Sequence, residues 1–247
     1  MSLFYQLGRK AGAGTASVGH WFTALTGSPE ERAKAERMIG QWMAKRCSER
    51  FPPARSPDLE ARAEQIVGRL VAKLKHPPHA LQLRVSHSGE AMACSLPGGH
   101  IIVTESLLAP LASDEDALAF LLAHEIAHHV RGHVRKRLLK SAGGKAVKTA
   151  MRVLQRHLVA RAASTAAQKA MHHLHEGFDA GIFSPEQELE ADLFAARLCK
   201  AAGFAPDAGL RLLLGWQQTH NSQHPLPPWI AEHPPLGKRL IQLKESA

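Results

Sequence analysis

The chain has 247 residues, 45% of them hydrophobic, with no strong compositional break, so it can bury a single core of ordinary to large size. Aromatics make up only 5% and Tyr5 is the one tyrosine, which predicts an aliphatic core built mostly of helix against helix. The formal charge of +9 is concentrated in one block, and no stretch approaches the ~20 apolar residues that cross a bilayer, which excludes a chain organised around membrane-spanning helices.

Cys47, Cys94 and Cys199 are odd in number, far apart and never in a C-x-x-C arrangement. They argue against a disulfide framework and a cysteine-based metal site, and for buried thiols in a reducing compartment. Arg9 and Lys10 precede a small-residue run, but Ala11 to Gly19 is too polar for a signal-peptide core. A cytoplasmic location is therefore expected.

Residues 1 to 57 read as an N-terminal helical extension packed on a main domain of residues 58 to 247, with a break at Gly27-Ser28-Pro29 and a proline-marked connector at Pro52, Pro53 and Pro57. Ile66, Val67, Leu70, Val71 and Leu74 follow helical spacing from Asp58 to Lys75, and Pro77-Pro78 ends that run. Leu81, Leu83 and Val85 alternate as a strand; a turn at Ser88-Gly89 leads to a second strand through Ala93. Pro97-Gly98-Gly99 turns into a third, β-branched strand, His100 to Thr104. The fold class expected is α+β, mostly helical, with a sheet of about three strands.

Ser113 before Asp114-Glu115-Asp116 gives a capping signal for a helix through His124, Glu125 and His128 to about Gly132. The block from Ile126 to His175 holds no acid and eleven Lys or Arg, among them Lys145, Lys148, Arg152 and Arg156 at steps of three or four. A solvated helix face is the plainer reading. The sharper one is peripheral contact with an anionic membrane through residues 131–169, and nucleic acid is not expected because no aromatic residues interleave with the charges. Ser184-Pro185-Glu186-Gln187 opens a helix carrying Glu188 to Cys199 and ending near Gly203. Pro206 begins another, and Pro225 to Pro235 is a loop before a last short helix.

The chemistry sits in His124-Glu125-Ile126-Ala127-His128, an H-E-x-x-H pattern whose imidazoles, one turn apart, can bind one zinc ion while Glu125 faces the water that the metal acidifies. With 16 His in the chain, a shuffled sequence shows this pattern about 7% of the time, so the pattern needs its context. A catalytic zinc needs a third protein ligand. Glu188 and Asp192 share a helix face, so Glu188 can bind the metal while Asp192 accepts the remaining N–H of a ligand histidine. Glu186 and Glu190 suit a solvated acidic turn, and His129 and His133 are not expected as ligands. His172, His173 and His175 read as an exposed loop.

These segments, with His133, with Glu188-Leu189-Glu190-Ala191-Asp192, with Pro97 to Thr104, with Gly203-Phe204-Ala205-Pro206 and with His233-Pro234-Pro235 and Arg239, resemble the gluzincin peptidases of the HtpX and CAAX prenyl protease type over about residues 58 to 245. The resemblance implies a zincin-like domain, one zinc per chain on His124, His128 and Glu188, Glu125 as base and Asp192 behind the ligands. It also implies that the strand His100, Ile101, Ile102, Val103, Thr104 binds extended substrate. His233 and Arg239 become the candidates for stabilising the oxyanion. With no membrane helices the chain resembles the soluble branch. The activity implied is a zinc endopeptidase acting on extended or misfolded polypeptide. The alternatives are a latent peptidase gated by a membrane or partner, with residues 140 to 180 as the cover, and a non-catalytic zinc-stabilised binding module using the basic face.

Overall fold

A computed structural model describes residues 27–75, 80–142, 183–219 and 236–246, which fall into two compact units. The smaller contains residues 27–50 and 134–142. Its first helix, α1 (Pro29–Arg50), starts where Ser28 and Glu31 cap each other: the Ser28 N–H donates to the Glu31 carboxylate at 2.7 Å and the Glu31 N–H to the Ser28 hydroxyl at 3.3 Å. Ala35, Ile39, Met43 and Cys47 recur every fourth residue and are all buried, which makes one apolar stripe. Glu36, also buried, pairs with Arg135 at 3.5 Å.

The larger unit contains residues 51–75, 80–133, 183–219 and 236–246. Helix α2 (Pro57–Val71) is capped by Ser56 and buries Leu59, Ala63, Ile66, Val67 and Leu70, the spacing read from the sequence. Its entrance is held by Glu105, whose Oε1 accepts the backbone N–H groups of Arg55 and Ser56 at 2.6 Å each while Oε2 meets His87 Nδ1 at 2.7 Å.

Three strands follow: β1 (Gln82–Ser86), β2 (Ala93–Leu96) and β3 (His100–Thr104). The sheet order is β1-β3-β2, with β1 parallel and β2 antiparallel to β3. β2 begins at Ala93, where the sequence reading ended its second strand. Upstream, Thr104 substitutes for a ladder: its hydroxyl donates to the Glu90 carbonyl at 2.8 Å and accepts the Met92 N–H at 3.0 Å. The reversal between β2 and β3 takes only Pro97–Gly99, with Gly98 at φ 75° and Gly99 at φ 94°, a backbone that side chains disfavour.

After the short helix α3 (Glu105–Leu108) the chain enters α4 (Glu115–Val130). Its cap is Asp114, not Ser113. Residues Ala109–Leu111 form a tight turn that continues to Asp114, whose N–H donates to the Leu111 carbonyl, so the first extended residue is Asp114 and its carboxylate receives the Ala117 N–H at 3.0 Å. Every residue of α4 from Ala117 to His129 is buried, as in a helix apolar on all sides at the centre of a core. It packs on α2, on β2, on α6 (Pro185–Ala201) and on α7 (Ala208–Thr219), while α8 (Leu236–Ser246) packs on α6 and α7. Pro206 thus precedes its helix by two residues. Between α4 and α6 lies α5 (His133–Ala142), whose first residue belongs to the larger unit. Mostly helix with a small mixed sheet, the fold is the α+β class expected.

Candidate metal centre

α4 and α6 pack closely, and their contact carries the titratable groups. His124 and His128 lie one turn apart on α4 with their Nε2 atoms 3.1 Å from each other. Glu188 enters from α6, with Oε2 3.2 Å from His124 Nε2 and Oε1 3.6 Å from His128 Nε2. All three side chains are fully buried. Among the described residues this is the cluster able to hold a metal ion. Two ligands on a tetrahedral zinc at about 2.0–2.1 Å stand about 3.3 Å apart, so the spacing and the N/O donor set fit zinc.

α6 is delivered by a complete capping box: Ser184 Oγ receives the Gln187 N–H and Gln187 Oε1 receives the Ser184 N–H. One turn beyond Glu188, Asp192 Oδ1 accepts from His124 Nδ1 at 2.9 Å. Asp192 is held in turn by Arg239, whose Nε donates to Oδ2 at 2.7 Å and Nη2 to Oδ1 at 2.8 Å. Burial pushes the Asp192 carboxyl up, but the charge of Arg239 and the hydrogen bonds from His124 and Arg239 hold it below its ordinary value. His124 shows the opposite balance. Burial opposes its charge, yet hydrogen bonds and charges from Asp192 and Glu188 raise its imidazole to about 9 in the metal-free chain.

Glu125 is also buried. Its Oε2 accepts the Ser95 hydroxyl at 2.7 Å, and the same hydroxyl lies 3.2 Å from the Glu125 carbonyl. Ser95 is on β2, so the sheet touches the motif helix at its carboxylate. Nothing in the sequence reading singled out Ser95; its signal was only its place one residue before Leu96-Pro97.

Gly132, at φ 69°, turns the chain out of α4 and brings His133 back beneath His128. His133 Nδ1 is 3.1 Å from His128 Nδ1, and His133 Nε2 is 3.0 Å from Glu190 Oε2. Glu190 receives Arg131 as well, its Oε1 being 2.6 Å from Arg131 Nε. Hydrogen bonds from His133 and Arg131 keep the Glu190 carboxyl below its ordinary value. Glu190 is half-exposed but engaged, rather than the solvated acid that its position suggested. Phe183 stacks on His128 with centroids 3.7 Å apart and planes within 12°.

The structure thus brings together His124, Glu125, His128, Glu188, Asp192 and Arg239. It does not support His100, Ile101, Ile102, Val103 and Thr104 as a substrate-binding edge. β3 is the central strand, hydrogen-bonded on both sides and buried along its length, because its β-branched residues fill the core; β2 is the strand beside α4 at the sheet's edge. His129 is buried but outside the cluster. His233, the histidines at 172, 173 and 175, the 140 to 180 cover beyond Ala142, and Lys145 to Lys169 of the basic block lie outside the described residues.

A family model described as peptidase family M48 matches residues 53–247. No curated protein compared with the chain matches it.

Proposed function

Because the chain belongs to peptidase family M48, a family of zinc metallopeptidases, we propose that it is a zinc endopeptidase cutting extended or misfolded polypeptide at the cluster on α4 and α6. The observation that carries this reading is the convergence of His124 Nε2, His128 Nε2 and one Glu188 carboxylate in a fully buried cluster beside Glu125. His124, His128 and Glu188 would hold the ion. Zinc, when bound, supplies a Lewis acid that acidifies water and polarises the scissile carbonyl.

The remaining work falls to the chain's own groups. Glu125 takes the proton of the attacking water and returns it to the leaving amine. Ser95 donates to Oε2 of that carboxylate and so orients it. Asp192 fixes the tautomer of His124 through Nδ1, and Arg239 fixes Asp192. Arg239 accordingly acts as a positioning residue, and His233 is left as the candidate donor to the oxyanion. An extended substrate would approach along β2, the edge strand beside α4, where main-chain pairing gives affinity without sequence specificity.

Hydrolysis of labelled, unfolded casein by the zinc-loaded protein and by a Glu125→Gln variant of equal zinc content tests this reading. Cutting by the first and loss of at least a thousandfold in the second is the expected result. Equal cutting by both would contradict it. Silence from both, with zinc bound, favours the non-catalytic binding module, unless anionic vesicles restore activity to the wild type alone, which points to the latent peptidase.

A further inference from the structure

The two metal-facing imidazoles are supported differently. Nδ1 of His124 donates directly to a carboxylate, whereas Nδ1 of His128 is linked to one through a second imidazole. We propose that His133, Glu190 and Arg131 form a positioning relay that fixes the tautomer and orientation of His128 and thereby sets the affinity of the site for zinc. This rests on the zinc-site reading above.

The direction of every hydrogen bond follows from the outer end inward. Arg131 can only donate, so it holds the Glu190 carboxylate as an acceptor. Glu190 Oε2 therefore accepts a hydrogen bond from the His133 Nε2–H at 3.0 Å. With the His133 proton on Nε2, its other nitrogen, Nδ1, is the acceptor, and His128 Nδ1, 3.1 Å away, donates to it. That leaves the lone pair of His128 on Nε2, the atom 3.6 Å from Glu188 Oε1. A ligand histidine whose far nitrogen donates to an acceptor is turned toward the metal and made more basic. Phe183, flat against the His128 ring, hinders that ring from turning out of its plane.

The geometry also explains why the relay has its length. His133 follows His128 by five residues, too far along the chain to share its helical face, and only the left-handed turn at Gly132 returns it to that ring. His133 is fully buried, while Glu190 and Arg131 are partly exposed, so the relay runs from the metal cluster to the surface.

Competition with a chromogenic chelator measures the zinc dissociation constant of each full-length variant, and the cobalt-substituted protein reports ligand geometry through its visible absorption. His133→Leu should weaken zinc about 10–100-fold and shift the cobalt bands. His133→Asn, which can accept from His128 and donate to Glu190, should recover part of the loss. Glu190→Ala should weaken zinc several-fold, while Glu186→Ala, one turn earlier on the same helix, should change nothing. Should His133→Leu fail to fold, Glu190→Ala decides, because its side chain is half-exposed. Zinc affinity within twofold of wild type in Glu190→Ala or in folded His133→Leu overturns the relay, as does an equal loss in Glu186→Ala. If the wild type binds no zinc, or if His128→Ala leaves binding intact, the zinc-site reading itself fails and the relay with it.

Discussion

Ser95 gives the Glu125 carboxylate one fixed donor, and its loss should affect the chemical step more than binding. Ser95→Ala is expected to lower kcat about tenfold with KM and zinc content unchanged, and Ser95→Thr to restore much of it; an unchanged kcat would remove Ser95 from the mechanism. Arg239 is fully buried against Asp192, and removing one partner of such a pair leaves an uncompensated charge at a cost of about 3–5 kcal/mol. Arg239→Met should therefore lower the unfolding free energy by that amount, read from denaturant titration, and weaken zinc as well. For pH, the sign is set by His124, raised from 6.5 to about 9. Stabilisation by protonated His124 is complete below about 6.5 in the metal-free chain and is lost as pH rises through about 9. Zinc competes for the same nitrogen, so its affinity should climb with pH toward 9. Calorimetry near pH 7.5 in buffers of different ionisation heat should detect about one proton released per zinc. Asp192, depressed below 3.8, acts oppositely: its contribution is present above that value and lost as pH falls.

At the scale of elements, most of the helices were legible because caps and apolar spacing are local signals. Ser184, Gln187 and Pro185 define α6 without any tertiary information, and Leu59 to Leu70 define α2. Asp114 replaced Ser113 as cap because a preceding turn, invisible in composition, fixed which residue is first extended. The sheet was less legible. A β-branched run such as Ile101-Ile102-Val103 is a strand in any reading, but whether it is central or at an edge depends on pairing partners distant in sequence. Helix packing has its own test at Gly209, where an added Cβ would lie 2.2 Å from Phe120 in the core. Gly209→Ala should destabilise by about 1–3 kcal/mol through overpacking, against a gain expected in an exposed helix, and a thermal melt distinguishes the two.

Across the whole molecule the candidate metal trio and Asp192 behind it could be read from the sequence, whereas the outer supports could not. His124, His128 and Glu188 announce themselves by motif and helix face, but Arg239 to Asp192 and His133 to Glu190 span 47 and 57 residues and need the packed structure. No helix among the described residues is long and apolar enough to cross a membrane, and Arg131 and Arg135 of the basic block already pair with Glu190 and Glu36. Because only the fold brings His124, His128 and Glu188 together, zinc held there would link stability to the metal: removing it with a chelator should lower the melting temperature, and excess zinc at about 100 times its dissociation constant should restore about 2.7 kcal/mol. Zinc K-edge X-ray absorption on the loaded protein tests most directly whether these three side chains hold the metal. Four nitrogen or oxygen neighbours at about 2.0–2.1 Å with the outer-shell signature of two imidazoles is the result expected. Sulfur neighbours at about 2.3 Å, or an imidazole signature that survives His124→Ala and His128→Ala together, would contradict it.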